Sequence, residues 1–231
     1  LEESMASEIA RRLSPATRHL GLEKVLVRLN RLDRDTPDAP ATPVELVVTD
    51  TGDQLEVEAR RPHDAPLEPA QEYERKVVAA RRRRLIYPYE IVKMLTNESE
   101  TGVFEEYDLD SEAAKPTATP VVDRPHGRNT SAVVFGVIRT PTDKVPEGMT
   151  RVLVLSDPTM GMGALAGPEC DRIVAAIDLA ENLGVPVEWV PVSSGAKIAM
   201  DSGTENLDAT ARVVRRIVTF TQDGGVMHVI V

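Results

Sequence analysis

The chain is poor in the residues from which covalent and metal-based frameworks are built. Its 231 residues include one cysteine, Cys170, which excludes an internal disulfide framework and favours a reducing compartment. The four histidines stand far apart, at positions 19, 63, 126 and 228, and none of their separations has metal-ligand spacing. We therefore expect no metal site.

Long apolar runs are missing as well. No stretch reaches the roughly 18 apolar residues that a membrane span needs. The opening residues, LEESMASEIARR, do not have the pattern of a secretory signal peptide. We expect a cytoplasmic protein with no membrane partner.

Positive charge is in deficit, because the formal net charge is −10 at pH 7. This balance disfavours general binding to nucleic acid. One basic run, RKVVAARRRR, is the exception, and it ends in Arg81–Arg84. Two interpretations of it stay open: a solvated helix face, or a surface that contacts phosphates or a neighbouring domain.

The first 62 residues predict a small helix followed by an antiparallel sheet. Met5, Ile9 and Leu13 recur at helical spacing. The segments EKVLVRLNRL, TPVELVVTD and QLEVEARR then alternate apolar and polar residues as strands do. Residues 61–70 contain three prolines and lack periodicity, so residues 63–77 are predicted to be a linker to a second domain, residues 78–231.

Within the second domain, residues 96–130 are acidic and then rich in Pro and Thr, and they predict a long polar loop. Beyond them the pattern is regular: strands SAVVFGVIRTP and TRVLVLSD, helix GPECDRIVAAIDLAENLG, strand VPVEWVPV, helix TENLDATARVVRRIVTF and strand VMHVIV. This order predicts right-handed crossovers onto a parallel or mixed sheet. The fold class is therefore α/β, or α+β overall.

Each of the two helices has an apolar side. In the first, Ile173, Ile177 and Ala180 share a face, and Gly184 is expected to end the helix. In the second, Thr204 is the expected N-cap. The apolar residues of the second helix that fall on one side are Leu207, Ala211, Val214 and Val218.

Two loops rich in small residues follow strands of this region. In SDPTMGMGALAGPE, the three glycines form GxGxxxG, which differs from the dinucleotide-binding GxGxxG, and no GK[ST] is present. The second loop lies in VPVSSGAKIAM. Ligands of parallel sheets collect at the carboxyl ends of strands, where small residues expose main-chain N–H groups that stabilise an oxyanion. Both loops fit a ligand-facing role, and both also fit an ordinary connection.

Side-chain nucleophilic catalysis is not expected. His228 falls within a strand and His126 within a polar loop, so neither forms a recognisable Ser-His-Asp arrangement. A site built from backbone donors needs no such residues. The sequence pattern is therefore compatible with backbone-based catalysis.

The run GRNTSAVVFGVIRTP through VSSGAKIAM resembles the amino-terminal half of the carboxyltransferase of multidomain biotin-dependent acyl-CoA carboxylases, the acetyl-CoA carboxylase type. RRRRLIYPYEIVKML resembles the segment that opens that transferase, through Tyr87, Tyr89 and Glu90. The first residues resemble the tail of the central region that precedes it. The matching blocks of the main run are Ser156–Asp157, Gly163–Leu165 with Gly167–Pro168, Gly184–Pro186 and Val192–Ala199.

The resemblance implies a crotonase-like spiral of ββα units and a transfer of the carboxyl group of carboxybiotin to the α-carbon of acetyl-CoA or another acyl-CoA. The product of the acetyl reaction is malonyl-CoA, for fatty acid synthesis. Val192 matches the expected backbone oxyanion donor, in a catalytic loop with Gly195 and Ala196. The residues implied in binding CoA are Ser193, Ser194, Lys197, Gly161 and Gly163.

The resemblance also implies partners. Biotin would arrive on a carrier domain outside the chain, and the biotin carboxylase and the remaining transferase half would belong to the same longer, dimeric protein. Because the chain opens at Leu1 and stops in MHVIV, we expect it to be a fragment of that protein.

Four departures from the family pattern bear on substrate details. Lys197 stands where the family has arginine, Ala199 where it has glycine and Ser193 where it has asparagine, and one residue is inserted near Ala166. Two alternatives stay open: another CoA enzyme of the crotonase type, which would need a carboxylate over the substrate, and a non-catalytic assembly module.

Overall fold

The computed structural model describes residues 2–17, 20–32, 40–64, 68–97, 102–110, 116–198 and 203–231. The chain divides into two compact units, Leu1–Leu85 and Ile86–Val231. Part of the segment that the sequence marks as a linker, residues 63–77, is helical and belongs to the first unit.

The first unit contains the predicted helix and antiparallel sheet. Helix α1 spans Glu2–Thr17, and strands β1 (Lys24–Arg31), β2 (Thr42–Asp50) and β3 (Leu55–Arg60) pair in the order β1-β2-β3. Both pairings are antiparallel, which confirms the prediction. Helix α2 (Glu72–Arg81) completes the unit.

A buried carboxylate lies at the centre of this sheet. The side chain of Glu45 is covered, and it accepts hydrogen bonds of 2.7 and 3.0 Å from Arg60 and one of 3.3 Å from Arg28. The hydrogen bond from Arg60 holds the pKa of Glu45 below its usual value. One charged side chain, that of Glu45, is therefore buried here, and it is paired as a buried charge must be.

The arginine run is only partly a free surface. Helix α2 ends at Arg81, and the following turn exposes Arg82, whose guanidinium nevertheless donates a 2.8 Å hydrogen bond to Asp50. Arg81 also lies 3.8 Å from Asp53, in the turn between β2 and β3, so at least two of the four arginines have acidic partners within their own unit.

The second unit is built on a six-stranded mixed sheet of order β5-β4-β6-β7-β8-β9. The pairings from β5 to β7 are antiparallel, whereas β7-β8 and β8-β9 are parallel. The prediction of a parallel or mixed sheet is confirmed. The strands are β4 (Val103–Leu109), β5 (Ala118–Pro120), β6 (Val133–Thr142), β7 (Val145–Ser156), β8 (Val187–Val190) and β9 (Met227–Val229).

Three helices accompany this sheet: α3 (Pro88–Asn97), α4 (Gly167–Leu183) and α5 (Glu205–Gln222). Helix α4 connects β7 to β8, and α5 connects β8 to β9. Each helix carries the chain back to the end of the sheet at which the parallel strands begin. The observed class is mixed α/β, consistent with α+β. Within the described residues, no helix is long and apolar enough to cross a lipid bilayer.

The core of this unit lies between the sheet and α4. Ile173, Ile177 and Ala180 are fully buried there against Val152 and Val154 of β7, which confirms the predicted apolar face. The helix ends where the sequence places its end, because Gly184 adopts the left-handed conformation (φ 64°) of a helix C-cap.

The prediction of a long polar loop over residues 96–130 is wrong, because β4 and β5 lie within it. Two of the three acidic side chains of β4, those of Glu106 and Asp108, are paired with cations from distant segments. The carboxylate of Glu106 forms an ion pair with the Arg124 guanidinium at 2.7 Å. The carboxylate of Asp108 forms ion pairs with Arg124 at 2.6 Å and with Arg172 at 2.8 Å. Because these partners are distant in sequence, the local pattern of residues 96–130 shows only unpaired charges and predicts a polar loop.

Helix α5 differs from the sequence prediction in which of its sides is buried. The side formed by Leu207, Ala211, Val214 and Val218 is exposed, and the buried side carries Ala209, Val213 and Phe220. Thr204 occupies the N-cap position but makes no side-chain capping hydrogen bond. Arginines explain the orientation: Arg212 and Arg216 pair with acidic residues of α4 and fix the rotation of α5.

We predict that Ile177→Ala lowers the free energy of unfolding of this unit by about 2–5 kcal/mol, because it leaves a cavity in the buried α4 face. Urea unfolding followed by the fluorescence of Trp189, the chain's one tryptophan, reports this unit directly. Ile198→Ala, at a side chain that is 91% exposed, is the control and should leave the curve unchanged. An unchanged midpoint for Ile177→Ala would contradict the packing.

The stability of the protein is expected to depend on pH through the carboxyl group of Asp108. Burial, the largest single influence, raises the pKa of this carboxyl, but the hydrogen bonds from Arg124 and the Leu109 N–H and the positive charges of Arg172 and Arg124 together outweigh it and hold the pKa below its usual value. A lowered folded pKa contributes stability that is complete above the unfolded value of about 3.9 and is lost as the pH falls through the folded value.

We therefore expect Asp108→Asn to be less stable than the wild type at pH 7, and the difference to narrow as the pH falls below about 4. Urea unfolding at a series of pH values measures it. Asp143→Asn, in the exposed turn between β6 and β7, is the control. A difference that is constant with pH would show that Asp108 contributes through packing rather than charge.

Candidate functional site

The two loops singled out by the sequence lie at the carboxyl ends of the parallel neighbours β7 and β8. We call residues 157–166 the first loop and residues 191–198 the second loop. They pair as a short parallel bridge between Leu165 and Ala196. The Leu165 N–H donates to the Gly195 carbonyl at 2.8 Å, and the Lys197 N–H donates to the Leu165 carbonyl at 2.8 Å. The bridge brings the two predicted loops together.

A left-handed turn shapes the first loop. Gly161, Met162 and Gly163 have φ values of 55°, 58° and 67°. The conformation is strained for Met162 by about 1 kcal/mol or more, because its Cβ crowds the backbone. The carbonyl of Met162 accepts a hydrogen bond of 3.2 Å from the Ser194 N–H, which adds a third backbone contact between the loops.

Gly163 permits the close approach of the loops. A Cβ at this position would lie 2.0 Å from the carbonyl oxygen of Val192, which is far inside any allowed contact. A Cβ at Gly161 would meet nothing within 4 Å. Of these two predicted residues, Gly163 is therefore required by packing against the second loop, whereas Gly161 is required by its backbone conformation alone.

A buried carboxylate at the end of β7 anchors the first loop. Asp157 is fully buried and accepts a 2.9 Å hydrogen bond from the Asn129 side-chain amide. Its other oxygen accepts the N–H and hydroxyl of Thr159 at 2.8 and 2.6 Å. Asn129 was not predicted as a site residue. An Asp-Pro-Thr sequence directly after a buried strand was the available signal for the turn, but nothing local points to Asn129.

Glu169 anchors the other end of the loop. One carboxylate oxygen accepts the Ser131 hydroxyl at 2.8 Å and the Ala132 N–H at 3.3 Å, and the second accepts the Ala166 N–H at 3.2 Å. The last contact caps the first turn of α4, where a carboxylate is favoured by the helix dipole. Glu169 thus ties β6, the first loop and α4 into one frame.

The two loops border an open cleft of about 780 Å³. Small residues of both loops form much of its wall, among them Gly161, Ala164 and Ala196. Lys197 and Glu169 supply charge of opposite sign at its edge. A cleft of this volume is in the size range of small-molecule and cofactor sites.

The predicted site residues fall into two groups. Gly161, Ser194, Ala196 and Lys197 line the cleft directly. The remaining four, which belong to the two loops without lining the cleft, are Val192, Ser193, Gly195 and Gly163.

The backbone N–H groups of the second loop differ in whether they donate a hydrogen bond within the protein. The Gly195 N–H donates to the Ser193 hydroxyl at 3.0 Å, so the loop itself occupies it. Within the described part of the chain, the N–H groups of Val192 and Ala196 donate no hydrogen bond. The Ala196 N–H points away from the first loop, because the neighbouring residues make both bonds of the parallel bridge. Both donors therefore lack a protein acceptor among the described residues, and of the two residues Ala196 lines the cleft.

The second loop is also fastened to α5. The side chain of Asn206, which is buried at the start of that helix, donates a 3.0 Å hydrogen bond to the Lys197 carbonyl. The backbone of Lys197 is therefore held at both its N–H and its carbonyl, while its side chain is exposed. This leaves the ammonium group able to reach the cleft or the solvent.

Other chemistry-bearing residues do not converge on the cleft. Over the described ranges, no group of three His, Cys, Asp or Glu side chains could hold a metal ion, and His19 lies outside those ranges. His126 stacks on Tyr89 with a ring separation of 4.8 Å, and His228 belongs to β9. Cys170 is buried, and burial raises the pKa of its thiol.

Comparison with known proteins adds no family. No family of known proteins matches the chain, and no curated protein matches it either. The case for a function therefore rests on the residues and geometry of the cleft.

We predict that Gly163→Ala separates the two loops. Its Cβ would press on the Val192 carbonyl, so the backbone hydrogen bonds of Leu165 and Lys197 should weaken. Amide hydrogen exchange at those two positions should accelerate by at least about tenfold, which corresponds to about 1.4 kcal/mol of local opening.

Gly161→Ala is the matched control, because it carries the same left-handed strain without the contact. Equal acceleration in both variants would show that backbone strain, and not the fit of Gly163 against the second loop, controls the pairing.

Proposed function

We propose that the chain is the amino-terminal part of the carboxyltransferase of a biotin-dependent acyl-CoA carboxylase. The observation that carries the proposal is the bridge between the two loops, which leaves the N–H group of Ala196 without a protein acceptor beside an open cleft. The N–H group of Val192, in the same loop, also donates to no acceptor among the described residues. Both residues belong to the block that resembles the family most strongly. A crotonase-like ββα spiral is the finer fold expectation that accompanies this proposal.

The chemistry explains why backbone donors would be needed. Removal of a proton from the α-carbon of an acyl-CoA turns the thioester carbonyl into an enolate, whose oxygen carries the developing charge. Preorganised N–H groups stabilise such a charge strongly in a site from which water is excluded. Carboxybiotin, delivered by a carrier domain outside the chain, supplies the carboxyl group. The α-carbon bonds to it as the bond to the biotin nitrogen breaks, and that nitrogen takes up a proton.

The residues of the cleft would divide this work. Val192 and Ala196 would face the thioester oxygen, and the bridge would hold them in place. Ser193, Ser194 and Gly195 would shape the loop, since Ser193 accepts the Gly195 N–H. Lys197 would attract the phosphates of CoA.

The other partners follow the same resemblance. The remaining transferase half, the biotin carboxylase and the biotin carrier would belong to one longer protein, which would act as a homodimer in the cytoplasm. The substrate would be acetyl-CoA or another acyl-CoA.

A second candidate function has one observation in its favour. A hydratase of the crotonase type needs a carboxylate beside its substrate, and Glu169 lies in the cleft wall. Both of its oxygens, however, accept hydrogen bonds from Ser131, Ala132 and Ala166. Glu169 is thus occupied in holding the frame, which favours the transferase.

We predict that the chain binds acetyl-CoA and that Lys197→Glu weakens this binding by about tenfold, because it reverses a charge at the edge of the cleft. Isothermal titration calorimetry measures both dissociation constants. Lys144→Glu makes the same change of net charge in the turn between β6 and β7, at the other end of β7, and should bind as the wild type does.

Absence of any binding of acetyl-CoA, propionyl-CoA or CoA would contradict the proposal and favour a non-catalytic assembly module. Equal weakening by Lys144→Glu would mean that net charge, rather than Lys197, governs affinity.

We also predict that the chain alone does not decarboxylate malonyl-CoA, because the resemblance assigns a second oxyanion loop and a substrate-facing arginine to the other transferase half. A coupled assay for acetyl-CoA release tests this. Measurable turnover by residues 1–231 would contradict the assignment of half a site to this chain.

A further inference from the structure

Helix α5 carries a second apolar stripe that faces away from its own unit. Leu207 and Val214 are each 56% exposed, Val218 is 46% exposed, and Ala211 is exposed as well. We call these four residues the outer stripe. Their spacing of four, three and four residues places them along one line of a helix.

The outer stripe cannot turn inward, because the opposite side of α5 is already committed. Phe220 and Val213 are buried in the core. Arg216 pairs with Asp178 at 2.6 Å, and Arg212 pairs with Asp171 at 2.9 Å, so α4 holds the helix by charges along its length. A change in rotation that buried the stripe would break both pairs and expose the aromatic ring.

The stripe has the form of a helix-pairing seam. Leu207 and Val218 stand at its two ends, and the small Ala211 lies near its middle, where it permits a second helix to approach closely. The seam covers about three turns, or roughly 16 Å of helix at 1.5 Å per residue. An apolar seam of this length on a surface helix is typical of contact with another helix.

Two exposed side chains of opposite charge, Asp208 and Arg215, lie beside the seam and indicate which partner it fits. Asp208 and Arg215 flank it on one side, seven residues apart, and both are exposed. Within the described residues, neither makes an ion pair. The other flank carries the uncharged Thr210 and Thr221.

An antiparallel copy of α5 would satisfy both charges. A two-fold axis perpendicular to the helices keeps the same flank on the same side and reverses its direction, so that Asp208 of one copy meets Arg215 of the other, twice. The midpoint of this charge pair and the midpoint of the seam lie one residue apart, about 1.5 Å along the helix. A parallel pair would instead place the charged flank against the threonines.

We propose that the outer stripe is a self-association surface on which a second copy of this chain docks through an antiparallel α5–α5 contact. The seam opposes Leu207 to Val218 of the second copy and Ala211 to Val214. Four apolar residues a side form a small interface, so the dimer is transient and depends on concentration. The proposal does not depend on the proposed function.

Analytical ultracentrifugation of the full chain from about 1 to about 200 µM tests this, since that range covers the affinities of small interfaces. The chain should show a reversible monomer–dimer equilibrium. Val214→Asp should abolish it, and Asp208→Arg should weaken it by at least about tenfold. The double variant Asp208→Arg with Arg215→Asp should restore the wild-type constant to within about threefold.

Val122→Asp is the control, because it places the same charge on a side chain that is 78% exposed outside α5. It should leave the equilibrium unchanged, and the fluorescence of Trp189 should verify that every variant is folded. A chain that is monomeric throughout the range overturns the proposal. So does a dimer that survives Val214→Asp. Failure of the double variant to recover overturns the antiparallel arrangement.

Discussion

The contact on which the candidate site depends is the fit of Gly163 against the Val192 carbonyl. It lets the loop after β7 lie within hydrogen-bonding distance of the loop after β8, and the bridge at Leu165 and Ala196 follows from it. A side chain at that position would hold the loops apart. The free backbone donors of the second loop acquire a fixed direction only because the first loop occupies its other side.

The rest of the second unit supports this contact. The parallel pairing of β7 with β8 brings their carboxyl ends together. The packing of α4 against β7 positions the first loop, which connects these two elements. Asp157 and Glu169 then secure the two ends of that loop with hydrogen bonds to the backbone and to polar side chains. Asn206 holds the second loop from α5. Each anchor is a polar group satisfied inside the protein, which is how a loop can be both irregular and rigid.

Local pattern predicted the elements whose signal is local. The apolar face of α4, its stop at Gly184 and the antiparallel sheet of residues 1–62 depend on periodicity and on one glycine, and the structure contains them. The sequence pattern does not predict strand β4 because two of its acidic residues, Glu106 and Asp108, are neutralised by Arg124 and Arg172 from distant segments. The buried side of α5 was not predicted because that helix has two apolar sides, and only its pairing with α4 decides between them. Asn129 and Asp157 meet across 28 residues, so no spacing rule connects them.

The proposed function requires that the N–H groups of Val192 and Ala196 donate hydrogen bonds to a thioester oxygen. Amide NMR of the chain, titrated with acetyl-CoA and separately with CoA, measures this most directly, because only acetyl-CoA carries the carbonyl. We expect the amide protons of Val192 and Ala196 to move downfield with acetyl-CoA and not with CoA, while a charged residue of the cleft lining such as Lys197 responds to both ligands. Identical responses to the two ligands at Val192 and Ala196, or none, would contradict it.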